Sequence, residues 1–288
     1  MKQIFFVAAL ALSVTGFSQK VTSKLTFKKG QKLEMVSKVN STVTMEMMGQ
    51  TMDTKIDATI TRMFDVADVS GTATTIEHKM KRMQMNMEAP MAGAQTFDSE
   101  NEKDMKGDAG KAMEKALKNK YSMIVDAGGK ITSVKADDDN PNKDVKVEGS
   151  DMMSGTMAGV VSGMELPKSG DLSEFKILPD AGAAKGDTWT DTTGGKKSMY
   201  KVTDVTDALV LIDYTEEGKT EKTQKANGME LKISTKDSTT GKITIDKKTG
   251  LLKEKTGTTS SEGTMEVMGQ EVPMSTKTTK TITVSSTQ

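Results

Sequence analysis

The chain's single histidine opens a run of methionines, His78-x-Met80-x-x-Met83-x-Met85-x-Met87-x-x-x-Met91. Thioethers are soft ligands that select Cu(I), so His78, Met80, Met83, Met85, Met87 and Met91 make a candidate Cu(I) site. On a regular strand Met83, Met85 and Met87 point to one side at steps of about 7 Å, while His78 and Met80 have the opposite parity. A regular strand therefore cannot bring the set around one ion, and a bulge would be needed to gather it.

The same residues have a second reading, because methionine is also a flexible filler of apolar faces. It recurs far from His78, at Met45, Met47, Met265 and Met274, which favours lining over ligation. A sheet face lined by Met45, Met47, Met83, Met85, Met87 and Met265, together with the lone Trp189, can repack around an apolar ligand. A filled core without a cavity is the competing outcome, and the residues alone leave both open.

Other chemistry is thinly supplied. With one His and no Cys, a nucleophile–His relay would have to use His78, which has no Ser or acid beside it in a motif. Ser154-Gly155 and Ser162-Gly163 do not form Gly-x-Ser-x-Gly. Asp137 to Asp144 offers oxygen ligands but lacks the glycine and spacing of a calcium loop, so it reads as a solvated turn. No catalytic residue and no cofactor is expected.

The elements that must position these residues are strands. Thr44-Met45-Glu46-Met47-Met48-Gly49-Gln50 returns 220 positions later as Thr264-Met265-Glu266-Val267-Met268-Gly269-Gln270. Each copy reads as strand, tight turn at Gly-Gln, strand. Alternation puts Leu33, Met35, Val39, Val43, Met45 and Met47 on one face of a first strand, and Ile56, Ala58, Ile60, Phe64 and Val66 on one face of the next. A third long strand carries Ile76, Met83, Met85 and Met87. Strands this long belong to a strongly curved sheet or an open barrel.

Ala89 to Asp104 reads as a loop, and Asp108 to Lys120 as a helix with Asp108 at its N-cap. A hairpin turns at Asp126-Ala127-Gly128-Gly129, and Gly149 to Leu166 is expected as a second helix or apolar flap. Shorter strands are expected at Met199–Val205, Leu209–Tyr214, Met229–Thr235, Lys242–Asp246, Leu251–Thr258, Met265–Met268 and Met274–Val284. A second echo links Met63-Phe64-Asp65-Val66-Ala67-Asp68-Val69 to Met199-Tyr200-Lys201-Val202-Thr203-Asp204-Val205. Fainter ones link Lys29-Gly30 to Lys185-Gly186, and the turn after Asp126 to the turn after Asp246. Their order does not match that of the Met-Gly-Gln hairpins, so a simple tandem duplication does not explain all of them.

Lys2, the apolar run Ile4 to Val14, and Gly16 with Ser18 form an export signal over residues 1–18, with cleavage before Gln19. The run is shorter than the ~20 residues a membrane span needs, so no transmembrane segment is expected. With no lipobox Cys, the periplasm is the expected location. Removing the signal leaves 39 basic against 40 acidic residues, and only Arg62 and Arg82 are arginine. That balance argues against nucleic acid as a partner. Residues 19–288 are expected as one β-rich domain with two sub-sheets, about 19–135 and 172–288, joined by 136–171.

Leu178-Pro179 followed by Lys185-Gly186-Asp187-Thr188-Trp189, the turn Ile245-Asp246-Lys247-Lys248-Thr249-Gly250-Leu251-Leu252, and the signal ending Phe17-Ser18-Gln19 resemble exported proteins of Bacteroidetes-type bacteria. Those are grouped as a domain of unknown function, DUF6263. The resemblance implies a fold and an address but no activity.

The sequence thus predicts a mainly β protein: long antiparallel strands in a curved sheet or open half-barrel, covered by one or two helices. The expected role is a non-enzymatic envelope protein that binds a lipid-like ligand on the Met-lined face. Cu(I) binding and a purely structural or partner-docking role are the alternatives.

Overall fold

The computed structural model describes residues 20–47, 49–90, 93–136, 166–226, 229–267 and 269–287. Its frame is β1 (Lys32–Met47), β2 (Gln50–Ser70), β3 (Ala73–Ala89), β4 (Gly93–Asp98), α1 (Glu102–Lys106), α2 (Asp108–Leu117), β5 (Lys120–Asp126) and β6 (Ile131–Ala136). The second half adds β7 (Thr188–Thr193), β8 (Lys196–Val205), β9 (Leu209–Ala226), β10 (Met229–Asp246), β11 (Leu252–Val267) and β12 (Gln270–Thr287). All the described strands join one 12-stranded sheet in the order β6-β5-β3-β2-β1-β12-β11-β10-β9-β8-β7, with β4 paired to β3. Every pairing is antiparallel and the path ends at two different strands, so the sheet is not closed. The long curved or open sheet expected from periodicity is the observed architecture.

The two halves of the chain form two contiguous wings, β6-β5-β3-β2-β1 and β11-β10-β9-β8-β7, sewn together by β12. The wings run in the same order, and their local structures correspond. The Gly30 amide donates to the Val66 carbonyl at 2.8 Å, and the Gly186 amide to the Val202 carbonyl at 2.9 Å. Val66 N–H answers to the Gln31 carbonyl and Val202 N–H to that of Asp187. Lys29 pairs with Asp68 and Lys185 with Asp204. Each wing has a one-residue bulge at the same point, between Val66 and Asp68 and between Val202 and Asp204. The Lys-Gly, Met-Phe/Met-Tyr and Asp-turn echoes are therefore in tandem order after all. The Met-Gly-Gln hairpins are the exception: they map β1–β2 onto β11–β12, a shift of two strands across the sheet.

Several local expectations need correction. Met47 pairs directly with Gln50, and Val267 with Gln270. Each hairpin thus turns one residue earlier than expected, with Gly49 and Gly269 at positive φ of 74° and 81°. The expected loop Ala89–Asp104 contains β4 and the start of α1. Asp108 lies inside α2, whose N-cap is Gly107, and the helix stops at Leu117 because Lys120 already begins β5. The short strands expected in the second half are fused into longer ones. The acidic turn Asp137–Asp144 and nearly all of Gly149–Leu166 lie outside the described residues.

One face of the sheet carries the apolar side chains. Leu33, Met35, Phe64, Val66, Ile76 and Met123 pack beneath Leu25, Phe27 and Phe175. Ile56, Ala58, Ile60, Met83, Met85, Met87 and Phe97 pack beneath Met113 and Ala116 of α2. Val202, Val210, Ile212, Ile243 and Ile245 pack beneath Leu178 and Ala183.

Candidate functional site

The pairing registers place every core-face residue in cross-strand rows, because residues directly opposite share a face. One row runs Tyr200, Tyr214, Gly241, Gly257, Lys280, Val39, Ala58, Met85 from β8 to β3. The next toward the hairpin tips runs Ser198, Glu216, Thr239, Thr259, Thr278, Ser41, Ile56. Near the tips, Met52, Met45 and Met274 face one another on β2, β1 and β12, while Met265 faces Ile233 and Val272.

These rows sort the predicted residues. Met83, Met85 and Met87 are at most 1% exposed and are consumed in the core beneath α2. Met45 and Met265 are half-buried at the tips, beside Met52 and Met274. Met47 pairs with Gln50 at the first hairpin turn. Trp189 lies on the edge strand β7, stacked on Tyr200 at 5.0 Å between ring centroids. The expected single lining is thus divided among a covered core, the hairpin tips and one sheet edge.

The histidine–methionine run gets the bulge it required. Thr61 pairs with Arg82 and Arg62 with Met80, so Lys81 is the extra residue. The parity switch turns His78, Met80, Met83, Met85 and Met87 to the same face. Convergence still fails, since His78 and Met87 are separated by about 25–30 Å of strand. His78 is buried against the Phe64 ring at 5.0 Å and stacked on Tyr121 at 4.4 Å. Burial first, then the Arg62 charge, pulls its pKa down to about 3, against a weak opposing pull from the Asn119 backbone. Among the described residues neither ring nitrogen has a hydrogen-bond partner of good geometry. Met91 lies outside the described residues.

A constellation that the periodicity reading passed over sits between the α2-covered core and β8. The Tyr214 ring occupies the space over Gly241 and Gly257: a Cβ at Gly257 would collide with the Tyr214 hydroxyl, and one at Gly241 with the ring edge. Glycine inside a strand often marks such a close approach. The hydroxyl therefore reaches β11 at the position opposite Lys280. Lys255, on the same face of β11, holds its amine 4.7 Å from the Tyr214 centroid. Burial, Glu216 and Tyr200 push the Tyr214 pKa up to about 12, so the phenol stays a donor at neutral pH.

Lys280 keeps access to solvent. Its surroundings are nonetheless crowded enough that desolvation, then Arg62, lowers its pKa. Lys255 is shifted the same way by burial. The nearby carboxylates have closer partners, Glu174 with Arg62 at 2.5 Å, Glu216 with Ser198 at 3.0 Å, Asp237 with Thr220 at 2.6 Å and Lys196 at 3.4 Å, yet Glu216 still attracts Lys255 and Glu174 attracts Lys280, each opposing the effect of burial. Sequence signals for this group did exist, in two lysines at core-face parity and two glycines in strand interiors.

The outer face is different. A groove of about 650 Å³ over the β1–β12 seam is lined by Asn40, Thr42, Lys55, Asp57, Glu262 and Lys277, among others. Every residue lining it carries a polar or charged side chain, so it suits a hydrocarbon chain poorly.

No curated protein matches the chain in sequence. Among solved structures, one concerned with lipid–protein interactions in lipovitellin aligns over 91% of this chain and 26% of its own, with TM-score 0.47 and 10% identity. This chain thus spans about a quarter of that protein's length. An outer membrane channel from Pseudomonas putida F1 aligns over 91% of this chain and 98% of its own, with TM-score 0.27 and 7% identity. The β domain of a Bordetella autotransporter aligns over 89% and 99%, with TM-score 0.22 and 7% identity. These are remote likenesses, and no property is carried over from them. No described helix is long and apolar enough to cross a membrane. The profile of a family of unknown function, DUF6263, matches residues 71–252, from the turn before β3 to the first residue of β11, and the chain belongs to that family.

Proposed function

We propose that the chain is an exported protein of the cell envelope, resident in the periplasm, that binds a lipid-like amphiphile without catalysis. The ligand lies on the core face between the hairpin tips and the Tyr214 row. The observation that carries this reading is the partition of the methionines. Met83, Met85 and Met87 are spent on the α2 core, whereas Met45, Met52, Met265 and Met274 stay half-buried on neighbouring strands of the same face. Flexible thioethers left uncovered by the described residues are suited to a hydrocarbon chain of variable shape.

From Met274 to Lys280 the face extends about 20 Å along β12, the length of an extended long acyl chain. The strip between them carries hydroxyls that bond each other, Thr239 with Thr259 at 2.8 Å and Ser41 with Thr278 at 2.7 Å. Self-satisfied hydroxyls compete little for water, which makes the strip passable to an apolar chain.

Native mass spectrometry of the mature protein, purified from its own envelope without detergent, tests the proposal. A retained mass of lipid size, on a chain beginning at Gln19, is the expected result. A bare protein that also takes up no added lipid would overturn the binding role, and an uncleaved N-terminus would overturn the address.

A further inference from the structure

Resting on that reading, we infer that Tyr214, Lys255 and Lys280 form the head-group site, and that the head group is an oxyanion, a carboxylate or a phosphate. The register brings three donors to neighbouring positions of the core face. Gly257, which brings the Tyr214 hydroxyl across to β11, stands directly opposite Lys280. Lys255 is diagonal to Lys280, two residues along β11, at a spacing of about 5–8 Å. Its amine is steered over the Tyr214 ring by the attraction of a cation to the ring face.

Charge decides what such a site takes. Arg62 projects from the same face, but its guanidinium is closed off by both oxygens of Glu174, at 2.6 and 2.5 Å. Among the described residues neither lysine forms an ion pair, and no hydrogen bond reaches the Tyr214 hydroxyl. This part of the core face therefore presents two lysines outside any ion pair and a phenol donor, with Glu216 and Glu174 attracting Lys255 and Lys280 only from beyond ion-pair distance. Both amines are partly desolvated, which strengthens their pull on an anion. A cationic or zwitterionic head would meet like charge, and an uncharged alcohol would leave the ammonium groups unpaired.

The alternation along β12 places the apolar tips and this cationic spot on one face. One ligand with both properties spans them, which two separate small molecules would not require.

Titration calorimetry on the mature chain, with dodecyl phosphate, dodecanoate, dodecanol and inorganic phosphate as probes, tests the inference. The expected result is that the two anionic dodecyl probes bind about tenfold or more tightly than dodecanol, the worth of one hydrogen bond to a charged group. That preference should disappear in Lys255→Gln/Lys280→Gln and shrink in Tyr214→Phe, which keeps the ring over the glycines. Equal affinity for all three dodecyl probes would overturn the oxyanion site and leave amphiphile binding intact. Inorganic phosphate binding as tightly as dodecyl phosphate would keep the oxyanion site and remove the lipid-like ligand. Binding of none of the four would overturn both. The comparison of head groups on the unaltered chain decides the matter even if a variant fails to fold.

Discussion

Gly257 and Tyr214 are fitted to each other: the tyrosine hydroxyl occupies the space where any side chain at position 257 would begin. This contact crosses two strand boundaries, from β9 over β10 to β11. Among the described residues no hydrogen bond holds the phenol there; the absence of a Cβ makes room for it.

Gly257→Ala should therefore displace the ring and destabilise the protein by about 1–3 kcal/mol, the usual range for overpacking. In a Tyr214→Ala background the same change should be nearly neutral, because the obstructing ring is gone. Chemical denaturation of the four members of this cycle measures the coupling. An equal effect in both backgrounds would mean that alanine at 257 disturbs the strand and not the ring.

Arg62 is the one arginine sunk into the core face, its side chain 9% exposed, gripped by Glu174 and touching the Met35 sulfur at 2.8 Å. Glu174→Ala leaves that charge unpaired. The expected loss is about 1–3 kcal/mol, less than for a fully buried pair. The discount follows because Glu174 is 42% exposed and water can take its place. Arg62→Met combined with Glu174→Ala should be more stable than Glu174→Ala alone, since no charge is then stranded. Urea midpoints at fixed pH report the order.

His78 makes the pH dependence readable, because it is the chain's single histidine and there is no cysteine. Its folded pKa of about 3 lies below the ordinary value of 6.5. Between those values the unfolded chain holds a proton that the folded chain refuses, so stability falls as pH falls. The slope rises from about half of 1.4 kcal/mol per pH unit at pH 6.5 toward about 1.4 near pH 5. Asp98, held down to about 2 chiefly by Arg82, starts to contribute only near its ordinary value of 3.8. Denaturant titrations between pH 6.5 and 5 should thus show a decline that His78→Phe removes. The same decline in His78→Phe would assign it to other groups.

The strands of the first wing were legible because their core faces are filled with Leu, Met, Ile, Phe and Val at period two. In the second wing the same face carries Thr235, Asp237, Thr239, Gly241 on β10 and Gly257, Thr259, Ser261, Gly263 on β11. Without apolar residues alternation vanishes, and each long strand read as two short ones. The bulge at Lys81 was invisible for a different reason. Parity changes midway through β3, and a fixed-period reading treats that as two unrelated faces. The Tyr214, Lys255 and Lys280 group was missed because lysine on a strand defaults to solvent, which outweighed the core-face parity of Lys255 and Lys280 until the register placed Gly257 opposite Lys280. The tandem relation of the two wings needed the hydrogen bonds of Gly30 and Gly186, since the Met-Gly-Gln echo pointed elsewhere.

The partition of the methionines gives the sharpest separation of packing from binding. Met83→Leu, Met85→Leu and Met87→Leu preserve apolar volume beneath α2, so each should change stability by less than about 1.5 kcal/mol. None of them should alter lipid uptake, because those side chains have no free surface. Met45→Ser and Met274→Ser remove half-exposed apolar surface at the tips, where little packing depends on it. These should leave the unfolding midpoint nearly unchanged and weaken binding of a dodecyl probe by several-fold per site. That size follows from about 25 cal/mol for each Å² of apolar surface that the ligand no longer covers. Calorimetry and denaturation on the five variants check both halves. Loss of binding in the Met83–Met87 series with the tip variants unaffected would move the ligand beneath α2, and the helix would then have to open to admit it.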